Sequence, residues 1–267
     1  MAQELVEKTV NEELEEARRE LEAAVEQLVT EDDEPMDNLF SAKQQRLLVE
    51  PLYSSWTPPP AEDAPEPPRI FLADANVGLF ISPLQPPLVP DMFLSLDVKP
   101  HENWHDKQHR SYFVWRFGKT PEIVVEIVSN RVGNELGRKL RAYAQLGIGY
   151  YLVYDPSYQL SDQSLHFFKL SGKQYQESAK EELSSVGLGV TLWTGEFEMQ
   201  HTEWLRWCDA QGNLIPTGAE RAKMEAERAN LEAERANLES ERANREAERA
   251  EKLAARLREM GVDPQEL

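Results

Sequence analysis

The chain has 267 residues, a formal net charge of −19 and one cysteine, Cys208. That length holds one ordinary globular domain with extensions, the acidity at first argues against a nucleic-acid partner, and a single cysteine excludes an internal disulfide or a Cys-based zinc site. The charged N-terminus has no apolar core of a secretory signal and no run nears the ~18 apolar residues of a membrane span, so a reducing cytoplasm is the expected location.

Residues 3–30 read as a helix. Val10, Leu14, Ala17, Leu21, Val25 and Leu28 recur at spacings of three or four and make one apolar stripe. Glu31 to Pro35 ends it, because proline cannot continue a helix. Residues 1–36 carry 13 acidic and 3 basic side chains, over half of the net charge. Residues 69–216 carry 17 acidic and 14 basic, so the part with the densest strand signal is nearly neutral and a DNA partner stays open. An acidic amphipathic helix over 1–36 is thus expected, docked on its own domain or on a second subunit. Residues 37–68 are expected to be an accessory segment ending in a linker, since TPPPAEDAPEPP at 57–68 holds six prolines and should be extended.

The core, 69–216, is rich in strand signals. Ile70–Leu72, Leu79–Ile81, Met92–Val98, Tyr112–Phe117, Ile123–Val128, Tyr150–Tyr154 and Leu165–Leu170 are β-branched or aromatic runs bounded by Pro, Gly, Asp or Asn. One helix is expected over Asn134–Leu146, with Leu136, Leu140, Tyr143 and Ala144 as its apolar face, Gly147 as its stop, and Gly137 inside it. Strand, helix, strand over 123–154 is long enough for a parallel crossover. The fold class is therefore α/β (α+β), a mixed β-sheet flanked by helices.

Residues 201–216, with two tryptophans and a Gly-Asn turn, are expected to cap the core. From Ala219 a seven-residue repeat begins, and alanines at a 3–4 alternation satisfy the heptad condition. Glu225–Arg228, Glu232–Arg235 and Glu239–Arg242 are favourable i,i+3 pairs. Residues 217–267 thus read as a charged, Ala-rich helix, either solvated alone or in a coiled coil that would make a homodimer.

The chemistry concentrates near one glutamate. Ile123 to Val128 is apolar except at Glu126, and a carboxylate in such a strand needs a partner, since burying an unpaired charge is costly. A divalent cation would supply one. Mg2+ takes one or two protein carboxylates and fills its shell with water and phosphate. Asp91, which follows a proline at the head of another apolar run, is the second candidate ligand, and the Ile127 carbonyl a third oxygen. Lys139, on the expected helix, would orient water or neutralise charge on phosphoryl oxygens. Two carboxylates and a lysine around Mg2+ (or Mn2+) suit phosphodiester hydrolysis.

The order of these residues carries a resemblance. Val89-Pro90-Asp91, then Pro121-x-Ile-Val-Val-Glu126-Ile-Val-Ser129, then Lys139-x-x-x-Tyr143, then Gly147-x-x-x-Tyr151-x-x-x-Asp155-Pro156 resembles the putative restriction endonuclease (Uma-type) family of the PD-(D/E)XK nuclease superfamily. The likeness covers roughly 69–205, about half the chain. It implies a restriction-endonuclease-like core, a Mg2+-dependent DNA endonuclease, Asp91 and Glu126 as metal ligands, and Lys139 as the motif's lysine. The superfamily's usual lysine position, two after the glutamate, holds Val128; in the Uma-type branch the helical Lys139 stands in its place.

Plainer readings accompany each residue. Glu126 pairs with an Arg or Lys on an edge strand, Asp91 caps a turn, Lys139 is solvated, and Asp155 ends a strand. Asp74-Ala-Asn76 lies where a further acidic ligand would sit. Arg131, Arg138, Lys139 and Arg141 form either a phosphate-facing patch or an exposed helix side. His101, His105 and His109 have metal-like spacing, but Pro100 and their polar surroundings suggest a loop, which with Trp104, Lys107 and Arg110 would reach DNA. The alternative function is a catalytically silent nuclease fold serving assembly or nucleic-acid binding.

Overall fold

A computed structural model describes residues 2–26, 38–60, 69–103, 105–129, 134–178, 182–183 and 185–259. Helix α1 spans Ala2–Glu26 and α2 spans Leu39–Ser55. The strands are β1 (Phe71–Asp74), β2 (Leu79–Phe80), β3 (Met92–Leu96), β4 (Tyr112–Phe113), β5 (Ile123–Ile127), β6 (Tyr150–Tyr154), β7 (Leu165–Ser171), β8 (Gln174–Glu177), β9 (Glu182–Leu183), β10 (Leu188–Phe197) and β11 (Gln200–Cys208). Between them lie α3 (Val114–Phe117) and α4 (Leu140–Leu146), and α5 (Gly218–Glu259) follows.

The central sheet runs β1-β3-β5-β6-β7-β8, antiparallel except for the parallel pair β5·β6. All five residues of β3, of β5 and of β6 are buried, as expected for strands covered on both faces. Period-two alternation divides β5 between two cores. Ile123, Val125 and Ile127 join Leu48, Leu52, Leu205 and Trp207 on one side, while Val124 and Val128 join Phe93, Tyr143 and Tyr151 on the other. The fold class expected from the sequence, a mixed sheet flanked by helices, is the one observed.

Several elements differ from expectation. The segment ahead of the proline-rich linker, read as accessory, contains α2, and α2 belongs to the core. Asn38 caps it by accepting the N–H groups of Phe40 and Ser41 at 3.0 Å. Its Gln44 side chain brackets Leu205, donating to the carbonyl (2.8 Å) and accepting from the amide (3.0 Å), and Trp207 Nε1 donates to the Leu48 carbonyl at 2.7 Å. Buried glutamines and the internal Pro51 hide this helix from a periodicity argument. Tyr112–Phe117 is strand for two residues and then turns as α3, where Gly118, at φ +72, closes the turn on the Val114 carbonyl. Residues 200–208, expected as a cap, are β11, paired with β10 over nine residues.

Helix α1 is present as far as Glu26, and residues 27–30 of the expected span lie outside the described residues. Val25 is buried with Phe80 and Phe113, and Lys107 donates to the Glu26 carbonyl at 2.6 Å, so its C-terminal end docks on its own domain. Leu14 is exposed; Leu28 and the side chain of Val10 lie outside the described residues. Residues 218–259 form a separate unit, one continuous helix. Among its described residues Arg221–Glu225, Arg228–Glu232 and Arg245–Glu241 pair at i,i+4, where the sequence suggested i,i+3 pairs, because consecutive turns bring residues four apart nearly in line. Among the described residues no helix is long and apolar enough to cross a membrane.

Candidate functional site

The site forms where β3 begins and β5 ends. In the antiparallel β3·β5 ladder Met92 faces Val125 and Phe93 faces Val124, and Asp91, just ahead of Met92, takes the Ile127 amide beside Glu126. Facing residues project to the same side of a sheet. Asn76, in the bend after β1 at φ +55, reaches the same place through Gln45, whose side chain bonds both Asn76 and Asp91. Glu126, alternating with Val125 and Ile127, projects to the side of the sheet that holds Tyr143.

Glu126 is 1% exposed. Its Oε2 accepts from Lys139 Nζ at 2.8 Å and its Oε1 from the Tyr143 hydroxyl at 2.7 Å. Asp91, 8% exposed, is held from two other elements: the Ile127 amide donates to Oδ2 at 2.6 Å and Gln45 of α2 donates to Oδ1 at 2.9 Å. Gln45 and Asn76 also exchange amide hydrogen bonds at 3.2 and 3.1 Å.

Lys139 owes its placement to the turn ahead of α4. Residues Glu135–Lys139 form a π-helical turn, a wider winding that recurs at functional sites. Asn134 stands before it at φ +59 and accepts the Arg138 amide at 3.0 Å. Gly137 is what permits this cap, because a Cβ there would come within 1.9 Å of Asn134 Oδ1. The glycine inside the expected helix is thus the residue that shapes its first turn. The turn sets Glu135, Lys139 and Tyr143 four residues apart along one line. Gly147, at φ +76, ends α4 where the sequence placed its stop.

Burial pushes the Glu126 carboxyl above the ordinary carboxylate range, and Lys139 and Tyr143 offset this only in part. For Lys139 burial acts downward, but Glu126, Glu135 and Asp91 together outweigh it and hold the ammonium above its usual value. Burial, then Glu126, pushes the Tyr143 hydroxyl well up, so Tyr143 stays a donor. Burial of the Glu126 carboxyl thus favours positive charge beside it, which Lys139 supplies in part.

The structure brings the three residues singled out from sequence together, Lys139 directly on Glu126 and Asp91 on the neighbouring Ile127 amide. Gln45, Asn76, Glu135 and Tyr143 were not singled out for the site. The i,i+4 spacing of Glu135, Lys139 and Tyr143 was legible; Gln45 and Asn76 depend on where α2 and β1 pack. Asp74 ends β1, half-buried, with its Oδ1 on the Ala75 amide. Asp155 is buried past the end of β6, its Oδ2 accepting the Leu160 amide at 2.7 Å, which suits the end of a strand. Arg131 and Trp104 lie outside the described residues. The His101 and His109 rings stack at 3.5 Å, and His109 Nδ1 meets the Asn103 carbonyl at 2.9 Å.

Asp91 and Glu126 offer hard oxygen donors, the set that suits Mg2+ with one or two protein carboxylates. Among the described residues no group of three His, Cys, Asp or Glu is gathered to hold a metal ion.

A family model, Uma2, described as putative restriction endonuclease, matches residues 13–194, about two thirds of the chain. No curated protein matches the chain significantly.

Proposed function

The chain belongs to the Uma2 family, putative restriction endonuclease, and on that premise we propose that it is a metal-dependent endonuclease cutting the phosphodiester bonds of DNA. One observation carries the reading beyond the family: two nearly buried carboxylates, Glu126 and Asp91, the latter bonded to the amide of the residue after Glu126, with the Lys139 ammonium 2.8 Å from Glu126.

Asp91 and Glu126 would hold Mg2+ or Mn2+. When bound, the cation polarises the scissile phosphate and lowers the pKa of an attacking water. The protein's own groups do the rest. The Ile127 amide and Gln45 fix the Asp91 carboxylate, leaving little freedom to be lost when substrate arrives. Tyr143 fixes one oxygen of Glu126, so the other is the oxygen that exchanges partners. Lys139 holds positive charge at that second oxygen and, with DNA present, faces the charge growing on the phosphoryl group. The lysine absent from position 128 is supplied from the helix, within hydrogen-bond distance of the same glutamate. Plasmid cutting in the presence of Mg2+, compared with Glu126→Ala, tests the proposal.

A second reading is that the fold is catalytically silent and serves assembly or nucleic-acid binding. The closed Lys139–Glu126 pair favours it, because the ammonium sits where a cation would bind. Titration calorimetry separates the two: no Mg2+ or Mn2+ binding that depends on Asp91 and Glu126 favours the silent module.

A further inference from the structure

Glu135 has no part in the reading above. It is 5% exposed, and its Oε2 is fully buried without a hydrogen-bond partner. An unsatisfied buried carboxylate oxygen is costly and calls for a reason. Its other oxygen, Oε1, lies 3.9 Å from Lys139 Nζ, close enough for charge attraction but too far for a hydrogen bond. Glu135 does not act as a third ligand, since no three acidic or histidine groups gather around one point among the described residues. The π-helical turn nevertheless holds Glu135 and Lys139 on one line, four residues apart.

We propose that Glu135 is the second seat of the Lys139 ammonium. When Glu126 Oε2 is taken by a cation, Lys139 closes the remaining ~1 Å from its 3.9 Å separation to hydrogen-bond distance and settles on Glu135. The site then keeps its ammonium while the glutamate is released. A lone lysine on Glu126 would compete with the cation for the same oxygen, whereas a lysine with two seats gives that oxygen up. Glu135 is thus a positioning residue acting through Lys139. The identity of the cation rests on the nuclease reading; the two-seat exchange does not.

The test uses the full chain as wild type, Glu135→Gln, Glu126→Gln and the double variant, in two measurements. The first is thermal unfolding without metal. Glu135→Gln is expected to lower the melting temperature more in the Glu126→Gln background, where Lys139 has moved to its second seat, than in wild type. A purely structural Glu135 lowers both equally, and that result overturns the proposal. The second is Mn2+ titration calorimetry with DNA-cutting kinetics. Glu135→Gln is expected to weaken Mn2+ binding by about tenfold and to lower kcat with KM for DNA unchanged. Unchanged Mn2+ affinity in Glu135→Gln, in a wild type that binds and cuts, overturns it as well. A wild type that neither binds Mn2+ nor cuts DNA overturns the nuclease reading, and the unfolding arm then still decides the role of Glu135.

Discussion

Lys139 donates to Glu126 across 13 residues of sequence, from the end of a π-helical turn to the last charged position of a buried strand, at 2.8 Å. The contact joins the two halves of the strand–helix–strand unit. It also sets the electrostatic state of the site, because Glu126 is almost fully buried while Lys139 is 27% exposed.

Breaking that contact from the lysine side leaves a buried carboxylate short of one partner. Lys139→Met should lower the unfolding free energy at neutral pH by about 3 kcal/mol, the low end for a broken buried pair because Lys139 is partly exposed. Adding Glu126→Gln should restore most of the loss, since the amide brings no charge and still accepts from Tyr143. Urea unfolding of the three variants checks this; a double variant no more stable than Lys139→Met contradicts it.

Asp91 depends on α2. Replacing Gln45 by Leu removes one of its donors while keeping the volume of the side chain. A hydrogen bond to a charged group contributes about 1.5–3 kcal/mol, and a comparable fall in stability is expected. DNA cutting should fall about tenfold in kcat through misplacement of the carboxylate. Single-turnover kinetics measure the second effect.

The turn before α4 yields a more local prediction. Gly137→Ala drives a methyl group into the Asn134 cap, and either the cap or the π-helical winding must give way. Lys139 then leaves its line with Glu126. Cutting should fall by more than the loss of about 1 kcal/mol expected for a missing cap. Asn134→Gly, which keeps the positive φ and loses only the cap hydrogen bond, should be milder on both counts.

These contrasts mark how far the sequence could be read. Glu126 was conspicuous because one charge interrupts an apolar strand, and Lys139 and Asp91 followed from the order of the family's residues. Strands β5 and β6 were legible for the same reason, as long apolar runs with clear ends. Helix α2 was not, because its inward face uses Gln44 and Gln45, whose partners are a strand edge and an aspartate far along the chain. Tyr143 was read as an apolar-face residue, and it is one, but its hydroxyl reaches Glu126. Polar contacts of this kind depend on tertiary placement and leave no periodic mark. The 135–139–143 line was visible as spacing, yet only the structure shows the free oxygen on Glu135.

Acid should loosen α2 through a different residue. Glu198 receives Lys43 at 2.9 Å and Arg46 at 2.5 Å, tying α2 to the turn between β10 and β11. These hydrogen bonds, Arg46 first and then Lys43, hold its carboxyl down at about 2. A lowered carboxylate stabilises the fold above its unfolded value of 4.5, and the contribution is lost as pH falls towards 2. The groups are partly exposed, so the contribution should be about 1 kcal/mol or less. Unfolding of wild type and Glu198→Gln should differ at pH 5 and converge as the pH approaches 2; a constant difference contradicts the assignment.

The most direct measurement of the central claim is plasmid cleavage by the full chain with Mg2+, run beside Asp91→Ala, Glu126→Ala and Lys139→Ala. Cutting by wild type that stops with EDTA, and that falls at least about a hundredfold in each variant, is the predicted result. Equal cutting by wild type and Glu126→Ala would contradict it.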